Sequence, residues 1–482
     1  MKKLAALLLV LTLVATFLAA CPAPTPQVIE KEVVVEKPVV ETVVVEKEVV
    51  KEVAAPTIQF WSTETQPERA KKTQQILDRF KEKTGIHVEL ILTDENALPE
   101  LTTAAVAAGT LPDVMFHPVD FTMGWAAEGI LDPTAATEVV QALGEETFSA
   151  GALDMVKVDG QYAAVPCDGW GQLLIYRQDL FEKAGLEAPT TYDKILEAAE
   201  ALNDPANNFY GITLANAAGK VMTQQTFEHV ALANGCELVN DAGEVTLNTP
   251  QCVEAIKFYA DVNQFTPPGE AEVVETRATY FAGQAAMIIW SPFILDEMAG
   301  LRDSVLPACP ECRDDPEFLA KNSGFVPAFA GPSGAPAQYG QISYMGITTN
   351  ADKEAAQKFL EFWFNEGYLD WLSVSVEGKF PMRRGTSDEP DKFITGWSQL
   401  ATGVDRKAKL GDIYGAEVIE LLVKGTENFA RWGFPQGQGV LVGAIYEALP
   451  VPNILRDVLD GRFTPEQGAA EMQAEVEALK PQ

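Results

Sequence analysis

The sequence predicts an α/β protein of two lobes, and three observations carry that reading. The first is a strand, helix, strand rhythm. Thr57–Trp61 is apolar and β-like, Ile76, Leu77 and Phe80 share a helical face, Gly85 closes that helix, and Ile86–Leu92 alternates as a second strand. Two strands joined by a helix call for a parallel sheet. The second is size: residues 56–482 exceed what one hydrophobic core usually organises. The third is a joint within Val158–Phe181. Asp159-Gly160 signals a tight turn, because glycine supplies a positive φ at little cost. Tyr162–Val165 reads as a short strand stopped by Pro166, and Leu173–Tyr176 as the next. The polar stretch between them, with Asp168 and Trp170, is where the chain is expected to leave one lobe and enter the other, beside a ligand.

The remaining elements follow in order. Thr65 and Glu68 have capping-box spacing for the first helix, and a second helix covers Ala97–Ala108. Gly109–Phe116 leads into a third strand, with His117 and Asp120 in the loop after it. Thr190 and Asp193 are spaced to cap a helix whose stripe is Ile195, Ala198, Ala199 and Leu202, and Gly211–Leu214 is a strand. Phe281–Trp290 is a small-residue turn into a strand, Ile342–Thr348 another strand, and Asp352 opens a helix carrying Phe359, Leu360 and Trp363. From Ile413 onward the pattern is helical.

Residues 1–20 read as an export signal: Lys2 and Lys3 precede an apolar run, Leu4–Phe17, that is short for a membrane span. Leu18-Ala-Ala-Cys21 looks like a bacterial lipobox, which implies cleavage before Cys21 and lipid on that residue. Residues 21–55 repeat Val-Glu-Lys units without aromatics, a composition that buries no core and suits a tether. The expectation is an extracytoplasmic body held at the cell membrane by a lipid anchor alone.

The net charge is -33, which repels nucleic acid and anionic lipid and excludes both as main partners. Cysteine usage fits an oxidising compartment. Cys236 and Cys252 bracket a hairpin turning at Asp241-Ala-Gly243, so they are placed to approach each other. Cys309-Pro-Glu-Cys312 has the spacing of a local disulfide or of half a zinc site, with no second pair to complete the latter. Cys309 opens no helix after a strand, which argues against a thioredoxin-like motif. Cys167 is left over as a buried free thiol. No metal and no cofactor is expected.

The order of these signals resembles the extracellular solute-binding proteins of carbohydrate ABC importers, the maltose-binding-like group, family 1. The residues that carry the resemblance are Phe80–Val88, Ala108–Val114, Asp159–Pro166, Tyr176–Gly185 with Ala188–Thr191, Phe281–Met287 and Glu354–Leu360. The resemblance implies a type II periplasmic-binding-protein fold, with lobes joined by three hinge crossovers, closing on its ligand like a clamp. The crossovers are expected near Pro166–Leu173, Met287–Ser291 and Tyr339–Gly346. Residues 56–166 with 288–340 then form the N-lobe, and 172–284 with 346–482 the C-lobe. The implied partners are a mono- or oligosaccharide and the importer's permease and ATPase subunits, with the binding protein itself a monomer.

Sugars present hydroxyls and apolar ring faces, so their sites combine carboxylates or amides with aromatic rings. Such residues just past strand ends are the candidates: Trp61 and Glu64, His117 and Asp120, Asp168 and Trp170, Trp290 and Phe293. Arg383 and Arg384 offer bidentate contacts, and Trp432 precedes a Gly-rich turn. The helix from Val440 lacks the aromatic some relatives use on that wall. Asp113 reads as a turn-binding structural residue, and Trp363 and Trp371 as core. No catalytic residue is expected: no nucleophile elbow, zincin motif or phosphate loop is present, and carboxylates alone do not make a glycosidase. Competing ligands are a glycerol phosphate, a polyamine or a peptide. A sensor or adhesin without transport is the remaining rival.

Overall fold

The computed structural model describes residues 56–480, Asn96 excepted, so Cys21 and the Val-Glu-Lys segment lie outside the described residues. Strand β1 (Thr57–Ser62) pairs in parallel with β2 (His87–Leu92) and with β3 (Val114–Pro118). The helices Pro67–Thr84 and Leu98–Ala108 make the crossovers. The first buries the expected Ile76, Leu77 and Phe80 together with Thr73, and ends at Gly85 with φ 77°. Its start differs from the Thr65/Glu68 box: Gln66 is the cap residue, makes no side-chain cap bond, and is followed by Pro67. Proline there needs no N–H partner, so the helix begins without a box.

The turn at Asp159-Gly160 joins β4 (Lys157–Val158) to β5 (Gln161–Tyr162), and both turn residues have positive φ, 48° and 78°. The stretch read as a polar gap is instead a strand, β6 (Val165–Gly171). Pro166 does not stop it. It sits where the ladder to β10 (Gln338–Ile347) shifts register, between Ser343 and Tyr344, and an irregularity of that kind tolerates a residue without an N–H.

Strand β10 lies between β3 and β6, antiparallel to both. With β11 (Phe380–Pro381) on β6, the sheet order is β11-β6-β10-β3-β1-β2, and β14 (Phe429–Ala430) adds to the start of β10. A second, three-stranded sheet places β7 (Leu173–Arg177) between β8 (Met287–Trp290) and β9 (Ser323–Val326). The short pair β12 (Ala401–Thr402) and β13 (Ala408–Lys409) stands apart.

The joint at Gly171-Gln172 therefore does pass between sheets, since β6 belongs to one and β7 to the other. The other two expected crossovers are corrected. Met287–Ser291 is a strand paired to β7, and Tyr339–Gly346 lies inside β10 of the larger sheet. The passage between these sheets runs through 327–337 instead. Residues 288–326 accordingly share a sheet with β7 rather than with 56–166, and 380–381 share one with β6 rather than with 172–284. An apolar run shows that a strand is buried but not which ladder accepts it.

The core is rich in rings. Phe60 and Phe80 meet Phe359 at 5.5 and 5.4 Å, and Trp363 packs on Phe60 and Trp371. Asp113 is structural, accepting from the Gln59 and Asp352 amides at 2.8 and 2.7 Å. Cys236 is bonded to Cys252 and Cys309 to Cys312, while Cys167 is free and buried. Among the described residues no helix is long and apolar enough to cross a membrane. The Cys236–Cys252 bridge closes 16 residues of chain. Replacing both cysteines by serine is expected to lower the unfolding free energy by about 3 kcal/mol in chemical denaturation, through the freed denatured chain.

Candidate functional site

Residues from both sheets and from the C-terminal helices meet in three linked groups. The first surrounds Lys379, one residue before β11. Its Nζ is 2.6 Å from Glu64 Oε1 and 3.1 Å from Asp168 Oδ1, and lies 4.4 Å from the Trp371 ring and 4.9 Å from that of Phe116. Arg69 binds the other Glu64 oxygen at 2.8 Å, and Trp371 Nε1 donates to Asp168 Oδ2 at 2.6 Å. Two buried carboxylates thus share two cations, and the charges cancel. Burial works against every one of these charges. For Lys379 the carboxylates of Asp168 and Glu64 outweigh it, and the pKa rises to about 12. For Glu64 burial pushes up, but Lys379 and Arg69 prevail and hold it at about 2.

The second group surrounds Arg431, a fully buried guanidinium just after β14. Its Nε donates to Glu228 Oε1 at 3.1 Å, one terminal nitrogen to Asp120 Oδ1 at 3.0 Å, and the other to the Gln341 side-chain oxygen. Gln341 in turn donates to Asp120 Oδ2 at 2.6 Å. The rings of Tyr339, Phe434 and Tyr446 lie 4.6, 5.1 and 5.3 Å from the guanidinium carbon. Glu228, on the helix Val221–Ala233, also accepts from the Trp432 amide at 2.8 Å and the Tyr446 hydroxyl at 2.9 Å. Asp120 opens the helix Val119–Ala127 after β3, so Arg431 ties a helix of the larger sheet to one outside it. Glu95 faces the same acidic edge: burial, then Asp120 and Glu64, push its pKa up.

The third group is aromatic. Trp170, opposite Gln341 in the β6–β10 ladder, meets Phe293 edge-on at 6.1 Å and Tyr339 at 6.0 Å. Trp170 and Phe293 are both half-buried. Trp290 lies under Arg277 at 5.6 Å, and Arg277 binds both Glu297 oxygens at 2.9 and 3.2 Å. Asp296 is fully buried, and its pKa is pushed up to about 7 by burial and then by Glu377.

Of the expected ligand residues, Glu64, Asp120, Asp168, Trp170, Trp290 and Phe293 fall in these groups. The others do not. Trp61 packs with Leu98, Met115 and Trp125 in a separate core cluster. His117 is fully buried, donates from Nδ1 to the Pro118 carbonyl, and is pushed down to about 4 by burial. Arg383 is enclosed and spends its donors on Leu143, Thr147, Phe364 and Asn365. Trp432 is core, its Nε1 donating to the Cys236 carbonyl at 2.8 Å. Arg384 pairs with Asp391 and Glu427 and lines a different cavity, about 270 Å³, with Phe148, Pro381 and Val423. Lys379, Arg431, Glu228 and Gln341 were not singled out from sequence. A lone cation or amide has no local signature, and only the ladder and the helix packing bring them together.

Two outcomes follow from these charges. Lys379→Met leaves Glu64 and Asp168 facing each other without their shared cation, and is expected to lower stability by about 3–5 kcal/mol in denaturant melts. Acid should also destabilise the chain in two stages. His117 and His229 have folded pKa values of about 4 and 3, below the ordinary 6.5, so the stability they contribute as neutral rings is complete above pH 6.5 and lost as pH falls towards 4 and 3. Glu64, held at about 2 against 4.5, adds a loss between those values. Calorimetry from pH 7.5 to 3 should show a falling Tm; a flat profile contradicts the assignment.

Residues 64–369 match the family model described as bacterial extracellular solute-binding protein. YcjN of Escherichia coli (strain K12), an ABC transporter periplasmic-binding protein by name, is 30% identical over 400 residues, 81% of this chain and 87% of that one. The maltotriose-binding protein of Pyrococcus abyssi (strain GE5 / Orsay) is 24% identical over 341 residues, 68% of this chain and 69% of its own. Among solved structures, maltose-bound MalE3 of T. maritima superposes with a TM-score of 0.64 at 21% identity, over 88% of this chain and 100% of that one. A D-mannitol-bound solute-binding protein of Agrobacterium vitis S4 gives 0.57 at 21% identity, over 88% and 98%. With two α/β sheets linked through hinge segments, and with a family match across most of its described body, this chain belongs to the bacterial extracellular solute-binding proteins and has their two-lobed fold.

Proposed function

We propose that the chain is the extracytoplasmic capture subunit of an ABC importer and reversibly binds a sugar or polyol between its two lobes. The observation that carries this reading is the meeting of Trp170 from one sheet with Phe293 from beyond the other, with Gln341, opposite Trp170 in the ladder, bonded to the Asp120 carboxylate. Rings offer faces to C–H surface and carboxylates accept from hydroxyls, which is the combination a polyhydroxyl ligand needs. The named ligands of the relatives, maltotriose and mannitol, support the same class.

In this reading one lobe comprises 56–171 with 338–398. The other comprises 172–337 with the helices Leu410–Gly425, Pro450–Leu459 and Pro465–Ala478. Ligand drawn between them favours the closed arrangement by its extra contacts there, and closure presents the surface that permease subunits read. Trp170, Phe293, Trp290, Asp120 and Glu64 touch ligand. Asp168 acts from beneath, through Lys379. The chain works as a lipid-anchored monomer with the lipid on Cys21, and performs no chemistry on its ligand.

A phosphate-bearing ligand is disfavoured because the cations beside the site are already paired with carboxylates, Lys379 and Arg431 each with two. A polyamine is the second reading, favoured by Glu95 beside Asp120 and Glu64.

A thermal-shift screen of sugars, polyols, amines and phosphate esters tests the class, since a ligand of the folded state raises Tm by mass action. Sugars or polyols should shift it; if only amines or phosphates do, the reading fails. Trp170→Ala should weaken the ligand so found at least about tenfold, on the order of 1.4 kcal/mol, by titration calorimetry.

A further inference from the structure

An acidic group is buried where segments leaving the two sheets meet. Phe293 leads into the short helix Ile294–Met298, which follows β8 of the three-stranded sheet. This helix packs against Val376–Gly378, the segment that precedes β11 of the larger sheet. A Cβ at Gly378 would fall 1.9 Å from the Phe293 ring, so backbone and ring are in direct contact. Three carboxylates lie at this junction, all buried: Asp296 and Glu297 from the helix and Glu377 from the segment. Two guanidiniums answer them. Arg277 binds both Glu297 oxygens, and Arg302 donates to Asp296 Oδ2 at 3.2 Å and stands 3.8 Å from Glu297 Oε1. Glu377 accepts from hydroxyls, Ser375 Oγ at 2.8 Å on one oxygen and Thr402 on the other. Asp296 Oδ1 is enclosed and accepts from no donor among the described residues. The elements packed around the helix supply no cation to it. Tyr414 donates to the Leu295 carbonyl, Lys321 is paired with Asp315 and Glu317, and Arg406 with Asp303.

Three carboxylates against two guanidiniums leave one negative charge in excess, and a buried charge without a partner is costly. One proton removes the excess. Asp296 Oδ1 is where it fits, because every oxygen of Glu297 and Glu377 already holds a donor. We propose, resting on the lobe closure described above but not on the identity of the ligand, that Asp296 is a proton-operated latch between the lobes. With its proton it lies neutral against Glu377 and the lobes stay joined; without it the two carboxylates repel and the lobes part. The sign follows from linkage. Parting takes Asp296 away from Glu377, so the open arrangement holds the proton more weakly. The closed arrangement is therefore most favoured in acid. Its advantage falls by at most about tenfold in population ratio per pH unit as pH rises, and is gone above about 7, where burial and Glu377 hold the Asp296 pKa. Ligand affinity takes the same sign, since the closed arrangement is the one that holds ligand.

The test is small-angle X-ray scattering on the lipid-free chain, without ligand, from about pH 5.5 to about pH 8. The buried rings of His117 and His229 keep their neutral form throughout, since their pKa values are about 4 and 3. The radius of gyration is expected to rise with pH and to level off above about 7. Asp296→Asn, a neutral side chain of the same shape, should hold the compact value at every pH. Glu377→Gln, which removes the opposing charge, should flatten the profile as well. A wild-type profile that is itself flat overturns the latch. So does an Asp296→Asn profile that still follows the wild type. If circular dichroism shows that the Asp296→Asn chain does not fold, Glu377→Gln decides by the same criterion. Because no ligand is present, failure of every sugar in the thermal-shift screen leaves this result standing, and a flat profile leaves the sugar reading standing.

Discussion

Strand β10 is hydrogen-bonded along both edges, antiparallel to β3 on one side and to β6 on the other, and this constraint places most of what matters. Because the ladder fixes register, Gln341 must stand opposite Trp170, and Ser343 opposite Asp168. The same strand sets Tyr344 beside His117 and so commits that histidine to the core. Its first residues pair with β14, which delivers Arg431 to Tyr339 and Gln341. One ten-residue strand therefore aligns Trp170, the Asp168 carboxylate and the Arg431 guanidinium.

The ion pairs depend on that alignment. Lys379 and Arg431 are both buried, and a buried cation persists only where geometry delivers its counter-charges. Each takes carboxylates from distant parts of the chain: Glu64 and Asp168 for one, Asp120 and Glu228 for the other. The consequence is chemical as well as structural. An acidic protein has spent these two buried cations on its own carboxylates, so neither is free to meet an anion.

This division also explains which features could be read from the sequence. The β1–helix–β2 unit was legible because its periodicities are local: Ile76, Leu77 and Phe80 follow helical spacing whatever the rest of the chain does. The cysteine pairing was legible because the hairpin at Asn240–Glu244 brings Cys236 and Cys252 together within one supersecondary unit. Pro166 was misread because a ladder irregularity, visible only with its partner strand, makes room for it. His117 and Trp432 were expected at the ligand and yet face inward: His117 lies within β3 against Trp125 and Tyr344, and Trp432 packs on Phe227 with its Nε1 bonded to the Cys236 carbonyl, contacts that no strand-end rule reveals. The hinge passages were displaced for a related reason: β8 and β10 are both apolar runs, and only backbone pairing tells which sheet holds each.

Under the proposed reading, Asp120 would make capture and closure one event. Its side chain is oriented by Arg431 and Gln341, while its backbone carbonyl lies against Gly443 of the helix Gly439–Ala448. A ligand hydroxyl bonding to that carboxylate therefore acts on a residue that is already part of the contact between helices. Differential affinity for closed over open states is the only means by which a ligand can shift such an equilibrium. Under the proposed reading that difference needs no relay, because the carboxylate proposed to meet the ligand is itself held by Arg431 and Gln341. A carboxylate at the tip of a free loop would bind as readily in either state, and would close nothing.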